Sequence, residues 1–401
     1  MIHGVSWLSG RGLANALIAM AGLFSCALHA ADDPQVFTGM LGKMPIVVEL
    51  DFSKSDDVSG RYFYQKYRQD LPLTGSVSDQ ELDLQEGIDD FSDKPRPGMT
   101  LNKKGNGWEG VWKNPQGKTF DIAFYPAQIT PPKPDSDAFW TELYHETPYD
   151  YLRLQGMALK KGKQQEFMGY TLQWWSEPLS KISLFEIVSG YAPEKLSALN
   201  ELLRARLWNE VISYHQCMLG ASRFGGDYVQ TVTPEMLTPS LASVSIFTRY
   251  DCGGAHPDFG DAPLNIDVNS GQPLALEDVL WVGKDQPFHY LYEDEDEDGG
   301  NNTTDFDTFS NYREKEFSPW LVAQLTKLVP AEMKKPQSDE DCDYTDPGIW
   351  NFSSWYFTPK GIAFDPYFAR VMRSCEGTEW SVLPYSVIRQ HPGGVKITLP
   401  E

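Results

Sequence analysis

The sequence predicts an α+β protein built from two modules, an N-terminal all-β antiparallel meander or small barrel and a C-terminal α+β domain with two main helices. Residues 35–125 contain only short runs of alternating apolar and polar residues, separated by Gly, Asn, Asp and Pro. Residues 126–150 are rich in proline. In residues 151–395, strands are grouped with a few helices rather than alternating strictly with them, which favours α+β over a doubly wound sheet.

The N-terminal module is expected to be a curled sheet. Glycines recur inside its runs, and glycine in a strand marks a bend or a close approach of backbones. The predicted strands cover residues 36–39, 44–52, 58–64, 71–75, 81–86, 108–112 and 119–124. The prolines of residues 126–150 predict a linker after this module.

The C-terminal domain has two clear helical patterns. Leucines at three- and four-residue spacing predict a helix over residues 193–219, which Pro193 begins and Gly220 ends. Ser318 and Pro319 begin a second helix, which Pro330 stops. The predicted strands of this domain cover residues 152–159, 166–174, 182–188, 228–233, 242–250, 264–268, 354–358, 362–364, 368–373 and 381–383.

Residues 1–31 have the pattern of a signal peptide. Arg11 precedes an apolar run over residues 13–24, and small residues close the segment at Ala30 and Ala31. The run is shorter than the ~20 apolar residues that span a bilayer, so no membrane span is expected after cleavage. Lipoprotein processing at Cys26 is an alternative, which we rank second because Phe24 fits a lipobox poorly. The mature protein is expected to be periplasmic or secreted.

Four cysteines follow the signal peptide, namely Cys217, Cys252, Cys342 and Cys375. An even number in an oxidising compartment indicates two disulfides, and four cysteines allow three connectivities. We expect Cys217 to pair with Cys252 and Cys342 with Cys375, since each pair closes a loop of moderate length inside the α+β domain.

The formal net charge of -22 limits the choice of partners. Nucleic acid is disfavoured because phosphate binding needs a basic face. A basic protein would suit such a surface, although acidity also simply keeps an exported protein soluble.

Two blocks in the last two-thirds of the chain resemble a known family. The first is Tyr250 followed by the run CGGAHP at residues 252–257, and the second is the run WYFTPKGIAF at residues 355–364 with later Pro, Gly and Tyr positions. They resemble the extracytoplasmic domain of lysozyme-sensing anti-sigma factors and of some secreted peptidoglycan deacetylases. The first module resembles a second β-rich exported bacterial module. The resemblance implies an α+β fold, a role in binding a lysozyme-like wall hydrolase or the wall itself, and no catalytic residue.

The candidate binding residues are Gly253, Gly254 and His256. The glycines permit a tight turn, and Pro257 restrains the residue before it, so His256 is expected at a ligand-facing loop. The alternative is an imidazole that bonds only to its own loop, and a lone histidine favours that alternative.

No catalytic, nucleotide-binding or zinc-binding motif is present in the sequence, so neither a cofactor nor a metal is predicted. The acidic run from Glu293 to Asp305 partly matches a calcium-binding loop, but it ends in Asp instead of the longer Glu. We expect a solvated acidic loop that does not bind calcium tightly.

These observations leave three functions open. The favoured one is an exported non-enzymatic protein that captures a basic, lysozyme-like hydrolase. The others are a wall-acting enzyme with unidentified catalytic residues and a structural peptidoglycan-binding module.

Overall fold

The computed structural model describes residues 34–87, 94–221, 225–291, 302–338 and 341–401. The expected signal peptide, Cys26 and most of the acidic run lie outside these ranges. The predicted α+β class is confirmed: a closed antiparallel barrel is followed by helices and further antiparallel sheets.

Eight strands form the barrel. Each pairs antiparallel with the next along the chain, and the last closes onto the first. The strands are β1 (Gln35–Leu41), β2 (Met44–Asp51), β3 (Val58–Tyr64), β4 (Asp70–Val77), β5 (Glu81–Glu86), β6 (Gly98–Lys104), β7 (Gly107–Lys113) and β8 (Thr119–Pro126). The barrel form of the N-terminal module is therefore the one observed.

The barrel interior is filled with side chains. Along β1, Phe37 and Leu41 are buried inside, and Phe124 of β8 packs on Phe37 with ring centroids 5.3 Å apart. Gly39 lies between them, where an added Cβ would sit 2.0 Å from the carbonyl oxygen of Ala123. Only glycine allows β1 and β8 to approach this closely, so it contributes to closure of the barrel.

Two short helices, α1 (Ala138–Glu146) and α2 (Pro148–Leu154), follow the barrel. They occupy much of the segment that its prolines predict as a linker. Pro148 takes the first position of α2, where its missing N–H is not needed. The predicted strand over residues 152–159 is wrong, because Tyr151 and Leu154 are buried at helical spacing.

The first sheet after the helices is a hairpin with one more strand, in the order β11, β10, β9. Its strands are β9 (Lys160–Phe167), β10 (Tyr170–Ser176) and β11 (Ser183–Ser189). The long helix α3 (Pro193–Ala221) packs against β11, with Leu199, Leu203 and Leu207 buried in the shared core. This is the first of the two predicted main helices.

A second sheet carries the GGAHP motif. Its strands are β12 (Asp227–Leu237), β13 (Leu241–Asp251), β14 (Asp258–Asp261), β15 (Leu264–Asp267) and β16 (Gln272–Pro273). β13 is central, because it pairs with β12 on one side and with both β14 and β15 on the other. The short helix α4 (Leu276–Val279) follows.

The C-terminal part surrounds the second predicted helix. Helix α5 (Phe306–Tyr312) runs through a π-helical turn (Arg313–Phe317) into α6 (Ser318–Leu328). A 3₁₀ turn (Pro347–Trp350), strands β17 (Ser354–Thr358), β18 (Gly361–Asp365) and β19 (Val382–Pro384), and helix α7 (Tyr385–Ile388) complete the fold. The predicted strand over residues 368–373 is wrong, since Arg370–Cys375 forms a 3₁₀ helix.

A cluster of buried charges joins the barrel to α2; we call Arg61, Asp70, Asp150 and Arg153 the arginine clasp. The Arg153 side chain is fully buried and bonds Asp70 through Nη2 at 2.6 Å and Asp150 through Nε at 2.9 Å. Its Nη1 donates to the carbonyl oxygen of Arg68 at 2.8 Å. Each of the three nitrogens of this guanidinium therefore donates a hydrogen bond.

Arg61, the second arginine of the clasp, pairs with the remaining buried carboxylate charge. Arg61 bonds Asp150 at 3.2 Å and Glu49 at 2.6 Å. Its guanidinium lies 4.4 Å from the ring centroid of Tyr149, whose hydroxyl donates to Asp70 at 2.7 Å. A barrel strand and α2 thus share one fully paired network, as buried charges require.

Two disulfides have the predicted pairing, Cys217 with Cys252 and Cys342 with Cys375. Such bonds persist in oxidising environments. Within the described ranges, no helix combines the length and the apolar character needed to cross a membrane.

Candidate functional site

The loop between β13 and β14 carries the three predicted binding residues. Gly253 adopts φ +79°, and an added Cβ would lie 2.4 Å from the carbonyl oxygen of Gly220 in α3. Glycine is therefore needed here for both the left-handed backbone and the close packing. Gly254 has open space around its Cα. His256 is exposed at the loop tip.

Both sides of this loop are fixed to other elements. On one side, the Cys217–Cys252 disulfide ties its start to the end of α3. On the other, Arg373 of the 3₁₀ helix bonds Asp258 through Nη1 at 2.5 Å and donates through Nη2 to the carbonyl oxygen of Phe259 at 2.7 Å. The loop is therefore held in place before any ligand arrives.

Arg373 is itself positioned by its neighbours. Its Nε and Nη2 contact the two carboxylate oxygens of Glu376, and its guanidinium lies 4.4 Å from the ring centroid of Phe259. The 3₁₀ helix that carries it ends at Cys375, which the second disulfide joins to Cys342. Each disulfide thus braces one flank of the same region.

Two adjoining hollows open beside β14, and we call them together the Asp261 groove. The larger, of about 830 Å³, lies between α3 and the strands β12 and β13. The smaller, of about 270 Å³, lies between β14 and the segment after β18. Tyr250, Gly260 and Asp261 line both hollows. Asp261 therefore lies at the shared edge of the two hollows.

The cations that line the groove are already paired. Arg206 bonds Glu210 through Nε at 2.7 Å and donates to the carbonyl oxygen of Ala262 at 2.7 Å. Arg373 is engaged by Asp258 and Glu376. Within the described parts of the chain, the carboxylate of Asp261 has no hydrogen-bond or ion-pair partner.

Asp261 has an unusual electrostatic environment. Its half-buried side chain loses hydration, and the negative charges of Asp365, Glu376 and Glu235 add to this effect. Together they raise the pKa of Asp261 to about 6. Burial also raises the pKa of Asp365, although backbone N–H groups of residues 377 and 378 donate to its carboxylate. A carboxylate in this setting would gain from a cationic or hydrogen-bond-donating partner.

Large apolar side chains are exposed around the smaller hollow. Tyr367 is 60% exposed and Val371, on the same 3₁₀ helix as Arg373, is 89% exposed. Phe247 and Phe259 pack nearby with tilted rings whose centroids are 5.7 Å apart, and Phe247 is partly exposed. Exposed aromatic and aliphatic groups beside a polar groove are typical of interaction sites.

Sequence reasoning located the loop but missed the groove. Gly253, Gly254 and His256 lie at its edge, whereas neither Asp261 nor Asp365 carries a local signal. The pairing of β13 with β14 and the fold of the C-terminal segment bring these carboxylates together. Arg373 had a weak signal, since it stands two residues before a disulfide cysteine.

The acidic run is only partly described. Asp305 accepts from the backbone N–H of Thr308 at 2.7 Å and so caps α5. Asn302 pairs with the backbone of Leu291. The positions from Glu293 to residue 301 fall outside the described ranges, so the calcium expectation stays a prediction. Elsewhere in the described residues, no group of three or more His, Cys, Asp and Glu side chains is arranged to hold a metal ion.

Comparison with known proteins adds no family to this geometry. No protein-family model matches the chain, and no curated protein matches it at a significant level. The likeness to the extracytoplasmic domain of lysozyme-sensing anti-sigma factors therefore rests on the motif residues alone.

Proposed function

We propose that this chain is an exported, non-enzymatic binding protein of the periplasm or the secreted fraction that captures a basic protein, a lysozyme-like wall hydrolase. One observation carries the proposal: Asp261 is a half-buried carboxylate without a cationic partner in the described structure, and it lines both hollows of the groove. A Lys or Arg side chain inserted there would supply the charge that is missing.

The surroundings of Asp261 suit a protein partner. Tyr367 and Val371 present apolar surface at the groove edge, and such groups anchor protein interfaces. The net charge of -22 would speed encounter with a basic partner. Association should therefore slow as salt rises, while dissociation should depend mainly on the contacts inside the groove.

The rigidity of the region also supports binding. Two disulfides and Arg373 hold the loop and the 3₁₀ helix that flank the groove. A site that is ordered beforehand loses less entropy when the partner docks. The exposed Gly254 and His256 at the loop tip are free to contact the rim of the partner.

A wall-acting enzyme is the second candidate, and one observation favours it. A carboxyl group with a pKa of about 6 could donate a proton in mildly acidic conditions, and the carboxylate of Asp365 lies close enough to affect it. The same residue, Asp261, would then act as an acid instead of an ion-pair partner.

The test measures binding of the mature protein to a basic lysozyme by surface plasmon resonance at low and at physiological salt. We expect Asp261→Asn to weaken binding at least tenfold, as expected when a buried ion pair is lost. Asp79→Asn, in an exposed turn of the barrel, removes the same charge and should change affinity less than about twofold.

Activity on purified peptidoglycan separates the alternatives. Release of sugars or peptides that Asp261→Asn abolishes, without lysozyme binding, would favour the enzyme. Co-sedimentation with peptidoglycan without lysozyme binding would favour the structural module. Equal effects of the two Asp variants on lysozyme binding would contradict the role of the groove.

A further inference from the structure

A separate cavity of about 710 Å³ lies where the barrel meets the end of α3. Tyr64, Tyr67 and Glu86 come from the barrel side, and Met218 and Leu219 come from the last turn of α3. We call it the junction cavity. Its volume is in the range of small-molecule sites, large enough for about two or three sugar rings.

Among the described residues that line the junction cavity, acids and bases are equal in number. Glu86 and Asp70 are the acids, and Lys94 and Arg96 are the bases. Asp70 is held in the clasp by Arg153 at 2.6 Å. Once Asp70 is compensated in this way, one acid and two bases remain, so the cavity carries both signs of charge and suits a ligand that offers both acceptors and donors.

Glu86 lines the cavity, and its carboxylate is only partly used within the described structure. Its Oε2 accepts from the hydroxyl of Tyr62 at 2.6 Å and from Nε1 of Trp112 at 2.9 Å. Its Oε1 has no partner in the described structure. Arg96 lies beside Glu86, where it donates one N–H to the carbonyl oxygen of Gly87 at 2.7 Å and carries further N–H groups. The cavity therefore offers a fixed acceptor and a fixed donor.

Tyrosine rings supply the apolar part. Tyr64 and Tyr67 meet edge to face, with centroids 6.3 Å apart and planes at 82°. Tyr67 is 53% exposed, which leaves ring surface available. The ammonium of Lys66 lies 5.1 Å from the Tyr67 centroid, so a ligand cation would compete with a resident one.

We propose that the junction cavity binds a neutral saccharide. A sugar ring has an apolar face that can pack on tyrosine and hydroxyls that both donate and accept, which matches Glu86 Oε1 and Arg96. A purely apolar ligand would leave these polar groups without partners, at a cost. An anion would meet Glu86, and a cation would meet Lys94 and Arg96.

The test titrates the mature protein with tri-N-acetylchitotriose and maltotriose by calorimetry, each to about 10 mM, so that millimolar affinities are detected. We expect at least one of them to bind, with amide shifts at Tyr64, Tyr67 and Met218 in NMR spectra. Tyr67→Ala should weaken binding at least tenfold. Tyr125→Ala removes a partly exposed tyrosine from the barrel exterior and should leave affinity unchanged.

Glu86→Gln is a second variant, checked for folding by thermal melting, and should also weaken binding. If it does not fold, Tyr67→Ala decides the result alone. The proposal would be overturned if neither sugar bound at this concentration or if Tyr67→Ala bound them as well as the wild type. Tighter binding of tetramethylammonium or acetate than of both sugars would also overturn it. Because the cavity does not include the Asp261 groove, the outcome is independent of lysozyme capture.

Discussion

The arginine clasp and the Asp261 groove differ in how far their buried carboxylates are paired with cations. In the clasp, Asp70 and Asp150 lie within bonding distance of guanidinium groups, and Tyr149 adds a hydroxyl donor. In the groove, Asp261 is half buried among other carboxylates, and no described cation reaches it. The carboxylates of both regions lose hydration energy on burial, but only those of the clasp recover it through contacts within the described structure.

This difference distinguishes charges that stabilise the fold from charges that are available to a ligand. A fully compensated cluster contributes to holding two modules together and has nothing left to offer a ligand. An uncompensated carboxylate makes the free protein less stable, and that deficit is recovered when a cationic partner binds. Each prediction below changes one side of this comparison.

The largest expected effect is loss of the clasp. Arg153→Ala leaves Asp70 and part of Asp150 buried without their main partner, so the free energy of unfolding should fall by about 3–5 kcal/mol. Urea denaturation measures this. Arg249→Ala breaks an exposed pair with Asp227 at the same distance range, and it should cost no more than about 1 kcal/mol. Similar losses of stability in both variants would mean that the clasp contributes no more than an exposed ion pair.

His215 on α3 lies within range of the positive charges of the clasp. Its Nε2 is buried and has no hydrogen-bond partner within the described structure. Burial first, and then the positive charges of Arg153, Arg61 and Arg68, lower its pKa to about 3. The folded state therefore resists a proton that the unfolded chain accepts below about pH 6.5.

Stability should consequently fall as pH drops below about 6.5, and this group should account for roughly 2 kcal/mol of the loss by pH 5. His215→Leu should remove that part of the pH dependence, measured by urea denaturation from pH 7.5 to 5. His145→Leu, at an exposed position, should retain it. Identical pH profiles for the wild type and His215→Leu would show that the imidazole is solvated.

The smallest effect concerns Asp261 itself. Its pKa of about 6 lies above the ordinary value of 3.8, so the folded state holds this proton more tightly than the unfolded chain. The resulting destabilisation is absent below about pH 4, grows as pH rises to 6 and is complete above that. Asp261→Asn should therefore stabilise the protein at pH 7.5 by about 1 kcal/mol, allowing for solvent screening, and have no effect at pH 4.

Thermal melting at both pH values tests this prediction, with Asp79→Asn as the charge-matched control. A destabilised Asp261→Asn at pH 7.5 would indicate that the carboxylate has a structural partner. The groove would then resemble the clasp, and the contrast between the two regions would disappear.

The sequence predicted local features better than distant pairings. Period-two alternation and strand glycines indicated a meander or barrel, but closure depends on β1 meeting β8, and no short motif records that contact. Helices α1 and α2 were missed because prolines dominate the composition there, although Pro148 is a good helix start. The predicted strand at residues 368–373 failed because Arg370–Cys375 makes a tight helical turn instead of pairing.

The same limit applies to the candidate site. The requirement for glycine at Gly253 could be inferred because a tight turn is a local property, and its positive φ agrees with that inference. Asp261 lies far in sequence from the segment that carries Asp365 and Arg373. The roles of these residues depend on how the strands pair and on which charged groups each side chain already contacts. Composition alone predicts neither property.

The strand order of the barrel has a consequence for how the chain folds. Because every strand except the last pairs with its immediate successor, most barrel contacts join residues close in sequence, and such contacts form quickly. The barrel can therefore assemble before α2 and α3 arrive along the chain. Arg61 and Asp70 on the outside of the barrel would stay hydrated until Arg153 docks. The slowest folding step should therefore be the docking of the C-terminal domain onto the barrel.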